Sequence, residues 1–184
     1  MLNLSASLRA GVLLALLAMI ASTRMSHFGT AHLLPDASLA MFLLGGLIVR
    51  HGLGFVVLIF AAFGLDIYAT QSAAEIAWCF TPAYAGLIPT YGLLWLTGVA
   101  LGPQQRYARP IIALPVSLIA VSLAFVFSNG WFFAFHGVST PISLSEFALA
   151  VAPYFLAYLG SAMLYLAPVF IAAALWRQSR LSAW

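Results

Sequence analysis

The sequence predicts an all-α integral membrane protein with six transmembrane helices and both termini on the cytoplasmic side. Three observations carry that expectation: a composition too apolar for a water-facing surface, apolar segments of helical length, and a one-sided distribution of arginines. Of 184 residues, 64% are hydrophobic and only 6% are charged, which cannot clothe an ordinary globular core in charge. The solvent implied is lipid. A hydrocarbon layer about 30 Å thick needs roughly 20 apolar residues per helix, so this length accommodates about six spans and short connections in one domain.

Taken in order, the segments bounded by Pro, Gly, Arg or polar clusters are residues 8–23, 37–49, 53–70, 82–101, 111–128 and 147–176. The first carries Arg9 ahead of its apolar run and so has the outline of a signal peptide. No small-x-small cleavage site leads into a polar mature start, and the segment is assigned as the first helix. The second is short for a full span and is expected to begin within the preceding loop. The third contains Asp66, the one acid inside a predicted span. The fourth opens at Pro82. The sixth is long, and Pro153 and Pro168 are expected to kink it. Strand alternation is absent, which argues against a barrel.

Arginines collect in short cytoplasmic loops. With the N-terminus inside, Arg9, Arg50, Arg106, Arg109, Arg177 and Arg180 fall on the cytoplasmic side and only Arg24 falls outside, with Asp36, Glu75 and Glu146. The outward connections are then residues 24–36, 71–81 and 129–146. They carry His27, Phe28, His32, Trp78, Cys79, Phe80, Asn129, Trp131, Phe132, Phe133, Phe135 and His136, a mixture suited either to a large, partly apolar ligand or to an aromatic belt at the bilayer surface.

Charge and composition exclude two functions. Seven arginines against four acids are too sparse and scattered for a nucleic-acid surface. No lysine occurs, which removes the GxxxxGK[ST] phosphate loop, so the chain has no such ATP site of its own.

Ionisable groups inside a membrane are costly and therefore functional candidates. Asp66, near the outer end of the third helix where water reaches it, is either an interfacial or capping residue or an acceptor for polar edges of a ligand. Cys79 is the only cysteine, so no intramolecular disulfide forms. It is either a small apolar packer or a soft thiolate ligand for a metal already held in a cofactor. Tyr84 belongs to the first, outward turn of the fourth helix, so Asp66, Cys79 and Tyr84 converge at one rim. Three of the four histidines also face outward, but His27 and His32 flank Gly29 without i, i+4 spacing, which argues against a metal pair. His51 beside Arg50 reads as an ordinary inward loop residue. In the first helix, Gly11 with Ala15 and Ala18 with Ser22 form small-xxx-small pairs, for which packing within the chain is favoured over docking to a partner.

The stretch GLDIYATQSAAEIAWCFTPAY, with Asp66, Cys79 and Tyr84, resembles the BtuM family of small cobalamin-uptake membrane proteins, related to the substrate-binding S-components of energy-coupling-factor (ECF) vitamin transporters. The resemblance covers nearly the whole chain in size, helix plan and topology. It implies an S-component-like fold in the bacterial inner membrane that takes up cobalamin or cobinamide from the periplasm. Asp66 and Tyr84 would line the corrinoid site, and Cys79 would ligate the cobalt, with assisted loss of its upper ligand (decyanation). The family looks solitary, so an ECF-type energising module is a partner that the resemblance suggests without requiring. A membrane-embedded thiol enzyme or a haem-handling protein is the alternative, using Cys79 or the outward histidines.

Overall fold

Apolar runs in lipid satisfy their backbone N–H and C=O groups within the segment only as helices, and every regular element among the described residues is helical. A computed structural model of the chain describes residues 5–24, 34–71, 82–135 and 142–182. The elements are α1 (Ala6–Arg24), α2 (Ser38–Ile48), α3 (Gly52–Gln71), a 3-10 turn (Pro82–Gly86) running into α4 (Leu87–Leu101), a 3-10 turn (Pro103–Ala108), α5 (Pro110–Phe135), α6 (Leu144–Val151), a 3-10 turn (Ala152–Tyr154) and α7 (Phe155–Leu181). Four stretches, Ala6–Arg24, Pro82–Leu101, Pro110–Phe135 and Leu144–Arg180, are long and apolar enough to cross a membrane. The chain is a multi-pass membrane protein by that measure.

Its polarity is that of a protein solvated by lipid. Phe60, Ile111, Leu149 and Leu156 are largely exposed, whereas Thr23, Arg24, Ser38, Asp66 and Thr90 are buried. Such an apolar exterior would drive aggregation in water.

The centre of the bundle is α2. Its 11 residues rise only about 16 Å, roughly half a hydrocarbon layer, and all of them from Ser38 to Leu47 are buried. It packs most extensively on α4. There the backbones touch: a Cβ added to Gly98 would lie 1.9 Å from the Leu43 carbonyl oxygen, and one added to Gly46 would lie 1.9 Å from that of Trp95. Small residues permit this approach, and dispersion across it replaces the hydrophobic drive that lipid does not supply. Leu58, Leu94, Leu166 and Phe170 complete the core around α2.

Several expectations need correction. α2 does not begin in the preceding loop; it starts at Ser38, because Asp36 accepts hydrogen bonds from the Ser38 backbone N–H (2.9 Å) and hydroxyl (2.6 Å) and turns the chain just ahead of it. α5 does not stop at Ser128 but continues to Phe135. Asn129 lies within it, its side-chain amide donating to the Phe125 carbonyl (2.9 Å). Asn129, Trp131, Phe132, Phe133 and Phe135 therefore belong to a helix, not to an outward loop. Within residues 147–176 the helix is interrupted at Pro153, one of the two expected kink positions, by the 3-10 turn between α6 and α7, while Pro168 is carried inside α7. Glu146, assigned to a loop, closes a capping box with Ser143 at the start of α6.

The small pairs of the first helix also differ from expectation. Gly11, Ala15, Ala18 and Ser22 are all exposed, and a Cβ added to Gly11 would meet nothing within 4 Å. Leu16 and Ile20, on the opposite face, make the internal contacts. The close glycine packing of this fold lies between α2 and α4 instead.

Candidate functional site

A buried polar cluster forms at the end of the bundle where α1 finishes and α2 and α4 begin. Arg24, the last residue of α1, aims its guanidinium inward. Its Nε donates to Asp66 Oδ1 and its Nη2 to Asp66 Oδ2, each at 2.6 Å. Its Nη1 donates to the hydroxyls of Ser38 (2.8 Å) and Tyr91 (2.9 Å). The same Nη1 stands 3.7 Å from Asp36 Oδ2. Tyr84 donates its hydroxyl to Asp66 Oδ2. Residues from α1, α2, α3, α4 and two connections thus share one network.

Local packing fixes each member. Thr23, next to Arg24, accepts from the Ala37 backbone N–H (3.0 Å) while donating to the Met19 carbonyl (2.7 Å), which fastens the end of α1 to the start of α2. The Tyr91 ring stacks on Phe42 at 4.1 Å between centroids, and the Tyr84 ring leans on Phe63 of α3 at 4.9 Å. On the other side of α2, Tyr165 of α7 donates to the Pro35 carbonyl (2.6 Å).

The burial is deep for charged groups: Arg24 is 6% and Asp66 7% exposed. Charges in such surroundings persist when paired and hydrogen-bonded, and the two-pronged Arg–carboxylate geometry is the strongest form of that pairing. Asp66 is therefore not the water-reached rim residue that its sequence position suggests. Tyr84 is half-buried and is the member of the Arg24–Asp66–Tyr84 trio nearest the outside.

Of the three residues singled out from the sequence, Asp66 and Tyr84 are brought into direct contact. Cys79 lies outside the described residues, as do His27, Phe28, His32, Trp78, Phe80 and His136. The described neighbours of Cys79 in sequence are Gln71, which ends α3, and Pro82, which opens the turn carrying Tyr84. Trp131 donates its indole N–H toward the Pro82 carbonyl (3.4 Å), so the last turns of α5 border the same end. Among the described residues no three His, Cys, Asp or Glu side chains gather as a metal site. His51 is exposed, its Nδ1 facing the Leu53 backbone N–H at 3.3 Å.

Sequence reasoning missed Arg24, Ser38 and Tyr91. A signal for Arg24 was present: it is the single arginine on the side that the other six avoid, and a cation placed against that bias next to an intramembrane acid is a candidate for pairing with it. Nothing comparable marks Ser38 or Tyr91. No protein-family model matches the chain and no curated protein is found as a relative.

Proposed function

We propose that the chain is a cobalamin and cobinamide uptake protein of the bacterial inner membrane, similar to the BtuM family and to S-components of ECF vitamin transporters. On this reading six segments cross the bilayer, with α2 and α3 completing the four long spans, and both termini are cytoplasmic. The polar cluster then faces the periplasm. The corrinoid enters at that face, where Tyr84 and Asp66 stand together and where Cys79 supplies a thiolate to the cobalt.

The observation that supports the reading most is the contact of Tyr84 with Asp66. Two residues 18 apart in sequence, on different elements, meet in one hydrogen bond on either side of the segment that holds Cys79. A corrinoid is a wide, amide-edged disc whose metal is open to a side chain only along its axis. A sulfur donor carried in sequence between a fixed carboxylate and a polar tyrosine suits that chemistry.

Bound cobalamin would be the cargo, and any removal of its upper ligand assists capture. The chain has no phosphate loop for ATP, so ATP-driven uptake would need a separate energising module. The exposed small-residue face of α1 is available to one. The test is uptake of cobalt-labelled cobalamin by cells whose other inner-membrane corrinoid route is deleted. Accumulation that depends on this chain is expected. Equal accumulation with and without it would overturn the proposal.

A further inference from the structure

We infer that the cleft between Arg50 and Tyr107, at the end of the bundle opposite the Arg24 cluster, seats the phosphate of an anionic phospholipid from the surrounding leaflet. The inference goes beyond the corrinoid reading and does not depend on it.

Charge at this end has one sign. α2 and α4 finish there and α3 and α5 begin there, and the two connections carry Arg50, Arg106 and Arg109, all exposed. Arg177 and Arg180 lie in the last turns of α7, which packs on the turn Pro103–Ala108. The described acids are elsewhere: Asp36 and Asp66 belong to the opposite cluster, and Glu146 caps α6. Among the described residues no carboxylate pairs with Arg50, Arg106 or Arg109.

Arg50 is the fixed member of the set. It follows α2 in the left-handed conformation, with φ +60°, at a helix end that ordinarily takes glycine because a Cβ is disfavoured there. Its backbone N–H donates to the Gly45 carbonyl at 3.1 Å, which holds the reversal. The side chain then lies across the end of α4. A Cβ added to Gly102 would stand 3.1 Å from Arg50 Cζ and closer still to its Nη1. Leu47, Ile48, Arg50, Gly102 and Tyr107 line one cleft, and the Tyr107 hydroxyl has no partner among the described residues. A guanidinium fork beside a phenol offers a phosphodiester several donors at once.

The surroundings select a lipid, and an anionic one. Leu53 and Ile111, three residues after Arg50 and two after Arg109, are 64% and 85% exposed, which gives acyl chains a surface next to the arginines. A zwitterionic headgroup brings an ammonium, and no described carboxylate at this end receives it. Phosphatidylglycerol brings the phosphate without the cation.

The test adds phosphatidylglycerol or phosphatidylcholine of identical chains to delipidated full-length protein in detergent and counts bound lipid by native mass spectrometry. The parent is expected to prefer phosphatidylglycerol by about tenfold, the scale of one hydrogen bond to a charged group. Arg50→Gly removes the guanidinium and suits the left-handed backbone, so it should unfold no earlier than the parent and should lose most of the preference. Arg50→Asn, which also tolerates that conformation, should do the same. Arg180→Gln removes a charge outside the cleft, where Arg180 lies over the Trp176 ring, and should keep the preference. A parent without preference would overturn the inference. So would equal losses in Arg180→Gln and Arg50→Gly, which would mean diffuse positive charge and no seat. Displacement of the lipid by inorganic phosphate, at an ionic strength matched with chloride, would overturn the lipid source and give the cleft to a soluble phosphate compound.

Discussion

Arg24 and Asp66, 42 residues apart in sequence, meet as a buried two-pronged ion pair with both N–O distances at 2.6 Å. The pair joins the end of the first helix to the third and, through Ser38 and Tyr91, to the second and fourth. One end of the bundle is therefore held by polar bonds, while the remainder is held by close packing around α2.

The first prediction concerns that pair. Arg24→Met leaves Asp66 without its cation in apolar surroundings, and removing one partner of a buried pair costs about 3–5 kcal/mol. The double variant Arg24→Met/Asp66→Leu removes both charges and should recover most of that loss. Thermal unfolding in detergent checks both. A double variant no more stable than Arg24→Met would contradict the account.

The second follows from the α2–α4 crossing. Gly98→Val places a side chain where the Leu43 carbonyl oxygen lies 1.9 Å from the new Cβ. Overpacking of this kind typically costs about 1–3 kcal/mol, and a clash with backbone sits at or above the upper end. The yield of monodisperse protein should fall sharply. Gly11→Val, with nothing within 4 Å of the added carbon, should behave as the parent in the absence of a partner.

Topology gives the third. The proposed topology, with both termini cytoplasmic, would put Cys79 outside, and a membrane-impermeant thiol reagent added to intact spheroplasts should then label it in ligand-free protein. Labelling seen only after the inner membrane is permeabilised would reverse the orientation.

The fourth concerns cobalt ligation. A thiolate from Cys79 would occupy an axial position and alter the corrinoid's absorption spectrum, whereas Cys79→Ser should give the spectrum of a corrinoid without sulfur. X-ray absorption at matched occupancy should show a cobalt–sulfur shell in the parent alone. Matching spectra with no such shell would end the case for direct ligation.

Much of the fold was legible because lipid leaves few choices. Residues 82–101 were bounded correctly by Pro82 and the Gly102–Pro103 pair, since a missing N–H and a flexible residue mark ends in any solvent. The end of α5 was not legible, because Asn129 and Gly130 have the residue types of a loop, yet the helix runs through both to Phe135. The α2–α4 glycine contact was missed for a different reason. Small residues are common along this chain, and sequence spacing alone does not say which of them face a neighbour. At the site, Asp66 and Tyr84 were recognised by residue type, yet the burial of Asp66 depends on Arg24, and partners so distant in sequence meet only once the helices are packed.

The account's central claim is that this chain captures a corrinoid, and metal analysis with absorption spectroscopy of the purified protein tests it most directly. Protein purified in detergent from cells grown with cobalamin should be red or brown and hold about one cobalt per chain, as expected for a single cargo site. Colourless protein without cobalt, or an iron Soret band in its place, would contradict the claim.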